Sequence, residues 1–216
     1  MNFIEKLDQI REQVFSLDHK SLISKAINEL RASGIVNQTL NIGDTVPNFT
    51  LPNAFGQLVE LQTLLNQGAV VISFYRGAWC PFCSLELMEL EQTLPAIKML
   101  GATLIAISPQ ILEYTLLTIQ EHELTYNVLI DKNNYVARQF GIVFQVPRYL
   151  RDFLLELGYN LAKYNANKFF ELPIPATYIV NRNGEIIYAF VEPDHTKRLD
   201  PVEIINVLRK LNLSNQ

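Results

Sequence analysis

The chain has 216 residues, 49% of them hydrophobic, 19% charged and 10% aromatic, which excludes a disordered polyelectrolyte and allows one domain with extensions. A formal net charge of -4, without a block of Lys and Arg, gives no electrostatic reason to expect nucleic acid or an anionic membrane as a partner. No apolar stretch approaches the ~20 residues of a spanning helix, and Met1 to Asp8 is charged at short intervals where a secretory signal would be apolar, so a cytoplasmic protein is expected.

Residues 1 to about 36 repeat apolar side chains at helical spacing, with Phe3, Ile4, Leu7, Ile10 and Val14 on one stripe and Leu22, Ile23, Ala26, Ile27 and Leu30 on another. This predicts a helical extension over residues 1–40, stopped near Gly34, ahead of a main domain over 41–216. The arm reads first as packed on its own domain. Its second reading is a dimerisation or docking surface, which would make the protein a homodimer.

From Val46 short strands are expected: Phe49 to Leu51 and Gln57 to Leu61 form a hairpin, and Ala69 to Tyr75 is a continuous apolar run typical of a central strand covered on both faces. Leu85, Leu87, Met88, Leu90 and Leu94 predict a helix that Pro95 should kink or interrupt. Strand and helix then alternate: Thr103 to Ile107 and Val128 to Ile130 as strands, Ile111 to Gln120 and Tyr135 to Phe140 as helices. Val146 to Leu161 reads as a helical insertion. Thr177 to Arg182 and Glu185 to Phe190, joined at Asn183-Gly184, read as a tight hairpin, and a last helix runs from Asp200 to about Leu211.

The two cysteines stand three apart in Trp79-Cys80-Pro81-Phe82-Cys83, between the predicted central strand and a helix. Residues at this spacing share a helix face, so Cys80 and Cys83 can approach to disulfide distance. Pro81 suits the first helical turn, whose N–H groups are unpaired in any case. A helix start also favours a thiolate over a thiol, and the thiolate is the reactive form. The pair therefore reads as a two-electron redox dithiol, ahead of a zinc site, which would need about two more ligands that the scattered His19, His122 and His195 do not offer, or inert packed thiols.

Other residues read as supporting the pair. Arg76, four residues before Cys80, and Arg148 with Arg151 in the insertion would supply positive charge that lowers a thiol pKa or stabilises a departing peroxide oxygen. Tyr75 and Trp79 are expected to wall the thiol pocket. His195 reads first as a turn residue, though near enough in pattern to approach the site. Pro175, entering the strand at Thr177, must lie at an edge, a strand start or a bend.

The run Phe74-Tyr75-Arg76-Gly77-Ala78-Trp79-Cys80-Pro81-Phe82-Cys83, with Pro47 to Pro52 upstream and Ile107-Ser108-Pro109 downstream, resembles peroxiredoxin-like proteins of the alkyl hydroperoxide reductase and thiol-specific antioxidant (AhpC/TSA) family over roughly Gly43 to Leu211. The resemblance implies an α/β, thioredoxin-like fold with a central mixed β-sheet flanked by helices. Where such proteins carry a proline, a threonine or serine, and the peroxide-attacking cysteine, this chain has Arg76, Cys80 and Cys83, and Pro175 stands where they carry an arginine. Trp79-Cys80 with Cys83 also looks like the thioredoxin motif, and Pro175-Ala176-Thr177 like its cis-proline loop, which implies a cis Ile174–Pro175 bond and a more exposed Cys80.

Three functions follow. In the first, Cys83 attacks a hydroperoxide, Cys80 condenses with it to a disulfide, and a thioredoxin-like dithiol restores the pair without a bound cofactor. In the second, Cys80 attacks a disulfide substrate and peroxide is a poor substrate. In the third, the dithiol is a redox sensor that alters partner binding through the amino-terminal helices.

Overall fold

The computed structural model describes residues 1–14 and 17–214. In chain order it contains α1 (Phe3–Val14), α2 (Leu17–Ala32), β1 (Thr50–Pro52), β2 (Leu58–Glu60), α3 (Leu61–Leu65), β3 (Ala69–Phe74), α4 (Pro81–Met99), β4 (Ala102–Ser108) and α5 (Leu112–Glu121). There follow β5 (Asn127–Ile130), α6 (Tyr135–Gln139), β6 (Val143–Gln145), α7 (Arg148–Glu156), α8 (Leu161–Tyr164), β7 (Glu171–Pro173), β8 (Ala176–Val180), β9 (Ile186–Val191) and α9 (Pro201–Ser214).

The central sheet has the order β5-β4-β3-β8-β9. Strand β3 lies in its middle, parallel to β4 and antiparallel to β8, so both its edges are paired and all six of its residues are buried. That explains its unbroken apolar sequence. The period-2 alternation of a strand sends Val71 and Tyr75 to one face and Val70, Ile72 and Phe74 to the other. The first set joins a core with α1, α2, α4, α7 and α9; the second joins one with β1, α3 and α6. This is the mixed α/β, thioredoxin-like arrangement expected from the sequence.

The amino-terminal helices are part of the first core. Phe3 and Leu7 of α1 and Ile23 and Ile27 of α2 are buried in it, beside Leu87, Leu90 and Leu94 of α4. Gly34, at φ +70°, follows the end of α2, as its sequence position suggested.

Several local expectations are corrected. Helix α4 runs through Pro95 without interruption to Met99. Pro95 is on the exposed side of the helix, between the buried Leu94 and Ile97, where water can serve the carbonyl that its missing N–H leaves unpaired. The stretch expected to be helical from Val146 to Leu161 holds α7 and the start of α8, separated by a non-helical connection, and it is bracketed by the paired strands β6 and β7. The β8–β9 turn is not a two-residue Asn-Gly turn: Gly184 alone has positive φ, Asn181 and Glu185 close the loop through backbone bonding, and the Asn181 side-chain oxygen accepts from the N–H groups of Asn183 and Glu185.

Among the described residues no helix is long and apolar enough to cross a membrane.

If the arm belongs to the core, Leu7→Ala should lower the unfolding free energy by about 2–4 kcal/mol, the range for emptying a buried leucine site. Urea denaturation reads this directly. A loss below about 0.5 kcal/mol would mean that α1 lies outside the cooperative unit.

Candidate functional site

The site begins where β3 ends. The Tyr75 N–H still bonds the Ile107 carbonyl of β4, which carries the chain to the carboxyl edge of the sheet before it turns into α4. Gly77 makes this turn at φ +145°, and a Cβ there would lie 2.6 Å from Trp79 Nε1, so a side chain would drive the indole from its seat. The loop is held from β4 by Gln110: its Oε1 accepts from the Ala78 N–H at 2.8 Å, while Nε2 donates to the Tyr75 hydroxyl at 2.8 Å and to Thr118 Oγ1 at 3.1 Å. Gln110 is fully buried, and its role was not legible in the sequence.

Cys80 is the N-cap of α4, with extended backbone, and its carbonyl accepts from the N–H groups of Cys83 and Ser84 at 3.0 Å each. Pro81 occupies the first turn, as expected. Both cysteines are buried, Cys80 at 1% exposure and Cys83 fully enclosed, so Cys80 is the more accessible of the two by only a small margin. The two are nevertheless unequal.

Burial alone would raise the Cys80 pKa. A hydrogen bond from the Cys83 thiol, then the charges of Arg76 and Arg198, outweigh burial and bring Cys80 down to about 5. The Cys83 thiol moves the other way, well above its ordinary value, through burial, through its hydrogen bond with Cys80 and through the neighbouring Cys80 charge. The two thiols are thus coupled, and the opposite directions of their shifts favour one thiolate shared with one thiol, the charged form being better supported at Cys80.

The charges around the sulfurs come from two segments far apart in the chain. Arg76 is 4% exposed and lies over the Trp79 ring, its guanidinium carbon 4.5 Å from the ring centroid. No carboxylate pairs with it in the described residues, and its Nε lacks a hydrogen-bond partner. Arg198, just before α9 and equally buried, donates from Nη2 to Cys83 Sγ at 3.1 Å and from Nε to Glu86 Oε2 at 2.6 Å; its Nη1 serves the carbonyls of His195 and Lys197. Burial pushes Glu86 up to about 7 against the pull of Arg198. His195 does approach the site: half-buried, it meets the Phe82 ring with centroids 6.1 Å apart. Burial, then the three positive charges of Arg76, Arg198 and Arg11, hold it neutral.

A cavity of about 40 Å³ lies against Cys80. Its walls are mostly apolar, from Val14 and Ile23 of the amino-terminal helices, Phe153 and Leu154 of α7, Trp79 and Tyr159, with Arg76 and His195 as the polar members. Cys83 does not line it. Trp79 walls the thiol cavity as expected; Tyr75 does not, being fully buried behind it with its hydroxyl on Gln110.

Arg148 and Arg151 are not brought to the sulfurs. Arg148 is exposed and 3.8 Å from Asp152, its neighbour one helical turn on, and Arg151 lies over the Phe170 ring. Arg148 projects from the face of α7 opposite its buried residues Leu150, Phe153 and Leu154, while Arg151 lies on the flank of that stripe, half-buried against Phe170.

Pro175 lines a second small cavity, of about 30 Å³, with Arg76 and His195. Its bond to Ile174 is trans, as are all described peptide bonds, which corrects the cis expectation. The Ile174 N–H bonds the Ile142 carbonyl and Ala176 pairs with Phe74, so Pro175 joins two extended segments already placed, and the ordinary isomer suffices. Thr177 is buried in β8 opposite Ser73, on the sheet face that carries α4.

A family model described as the AhpC/TSA family matches residues 42–189. The putative peroxiredoxin bcp of Buchnera aphidicola subsp. Schizaphis graminum is 30% identical over 104 residues, 48% of this chain, and the match spans 65% of that relative's own length. The thiol-disulfide oxidoreductase ResA of Bacillus thuringiensis subsp. konkukian is 20% identical over 151 residues, 69% of each protein. The crystal structure of peroxidoxin BcpB from Mycobacterium tuberculosis superposes with a TM-score of 0.63 at 20% identity, over 80% of this chain and 98% of that one, a likeness of fold.

Ultraviolet absorbance of the reduced protein should report one thiolate with a midpoint at about pH 5. The second should appear only above the ordinary thiol range. Arg76→Met removes the unpaired positive charge beside Cys80, so the first midpoint should rise. A single midpoint for both thiols near their ordinary value would contradict the charge distribution described above.

Proposed function

The chain belongs to the AhpC/TSA family, and from that premise we propose that its dithiol reduces hydroperoxides and is restored by a thioredoxin-type dithiol in a reducing compartment such as the cytoplasm. The observation that carries this reading is the position of Cys80, the thiolate of the pair and the sulfur that lines the cavity. A small oxidant that enters the cavity meets the nucleophile there.

The order of attack that the geometry supports is Cys80 first, the reverse of the order implied by family spacing. The Cys80 thiolate attacks one peroxide oxygen; the S–O bond forms, the O–O bond breaks, and the departing alkoxide or hydroxide takes up a proton. Arg76, buried beside Cys80, faces the charge that develops on the leaving oxygen. Cys83 then attacks the Cys80 sulfenic acid, the S–S bond forms, and hydroxide leaves with the Cys83 proton as water. Both electrons come from the dithiol, so the step requires no bound cofactor.

Arg198 favours the second step. Its Nη2 already touches Cys83 Sγ, and a guanidinium there stabilises the thiolate through which Cys83 must react. Reduction of the resulting disulfide by a protein dithiol then requires the cover over Cys80 to move, because a partner sulfur cannot reach a 1% exposed atom.

A second reading, exchange with protein disulfides, draws on the same low-pKa Cys80 and on the likeness to ResA. That reading requires the cover over Cys80 to move before the first step as well as the last, whereas a small peroxide reaches the sulfur through the cavity as it stands.

Stopped-flow thiol loss with equimolar hydrogen peroxide separates these cases. The parent should lose two thiols, and Cys83→Ser one, leaving a sulfenic acid that dimedone traps. Cys80→Ser should slow by about 10³-fold or more, the scale of losing an enzymatic nucleophile. A fast Cys80→Ser with an inert Cys83→Ser would reverse the order. A parent no faster than free cysteine would remove the peroxidase reading altogether.

A further inference from the structure

Tyr159 stands at a junction that the dithiol cycle by itself does not explain. It lines the 40 Å³ cavity over Cys80 and also two larger surface cavities, one of about 370 Å³ beside Arg151 and Phe170, the other of about 580 Å³ beside Met88, Tyr114 and Leu117. Its ring meets that of Trp79 with centroids 5.8 Å apart and planes at 40°. With Pro81, which lines both cavities too, the two rings stand between the thiol and the larger groove.

The two halves of this partition differ in how firmly they are held. Trp79 is fixed between the Arg76 guanidinium and the Gly77 backbone and is only 6% exposed. Tyr159 is half-exposed and sits in the connection between α7 and α8, immediately after Gly158 at φ +88°, tied back by its N–H to the Leu154 carbonyl at 2.8 Å. Removing the Tyr159 ring is therefore the smallest change that would join the thiol cavity to the groove.

Size decides what the narrow cavity over Cys80 can admit. A water needs at least about 10–15 Å³ of such space, so 40 Å³ holds roughly three, enough for hydrogen peroxide and too little for a hydroperoxide bearing a phenyl ring. The 580 Å³ groove, walled by apolar and aromatic side chains, could take such a ring if the partition were open.

We propose that Tyr159 is a size filter, a specificity-determining residue that admits hydrogen peroxide to Cys80 and holds back hydroperoxides with bulky apolar groups. The proposal rests on the peroxidase reading for its substrate, but the geometry of access to Cys80 is independent of it.

The test compares the parent, Tyr159→Phe and Tyr159→Ala in two assays. The first is the ratio of thiol-loss rates with hydrogen peroxide and with cumene hydroperoxide. The second, without peroxide, is the ratio of Cys80 alkylation rates with iodoacetamide and with fluorescein maleimide. In Tyr159→Ala both ratios should shift at least tenfold toward the bulky reagent, while Tyr159→Phe, which keeps the ring, retains the parent's ratios. Tyr159→Leu repeats the comparison should the alanine variant melt markedly lower. Unchanged ratios in both assays, or a parent that reacts equally fast with the bulky reagents, would overturn the filter. A shift in alkylation with no peroxide reaction in any variant would uphold the filter and discard the peroxidase reading.

Discussion

A thiolate sealed inside a protein is the constraint on which the rest of this structure depends. Moving a charged sulfur out of water is costly unless other charges and hydrogen bonds replace the solvent. Here the Cys83 thiol and backbone N–H supply the hydrogen bonds, and the charges of the unpaired Arg76 and the Glu86-tethered Arg198 supply the rest. Arg198 is half-neutralised by its carboxylate and touches Cys83, whereas Arg76 has no such partner and borders the Cys80 cavity. In the proposed cycle this asymmetry, more than the spacing of the cysteines, makes Cys80 the nucleophile and Cys83 the resolving thiol.

The same constraint gives the amino-terminal helices a role. Val14 and Ile23 close the cavity that keeps bulk water from Cys80, and the buried faces of α1 and α2 are spent on that wall and on the core beneath it. An arm that contributes Phe3, Leu7, Ile23 and Ile27 to the main core is a poor candidate for a detachable docking device, and its truncation would perturb the thiols as well as any partner.

Much of this was legible in the sequence because it is local. The β3 run, the helix-start dithiol, Pro81 and the alternation of strands and helices all follow from patterns within a few residues. Arg76 and Trp79 were found because they adjoin the cysteines. Arg198, Glu86, Gln110 and Tyr159 were missed because each acts across the fold: Lys197-Arg198 looks like an ordinary surface basic pair, and nothing in its neighbourhood signals a guanidinium aimed at a sulfur 115 residues away. Glu86 could have been found, since a carboxylate three residues after Cys83 shares its helix face and falls on the apolar stripe. Conversely, Arg148 and Arg151 lie in a local helix that presents one to solvent and stacks the other on Phe170, and at Pro175 a likeness to another loop suggests an isomer that the paired strands on either side do not require.

The environment of Cys80 draws on Val14 near one end of the chain and on Arg198 near the other. During synthesis, therefore, neither sulfur can acquire its final character until the chain has emerged past Arg198 and collapsed. The nascent chain carries two ordinary, mostly protonated cysteines, and the oxidant-sensitive thiolate is a property of completed tertiary structure, so that thiol ionisation doubles as a built-in report that folding has finished.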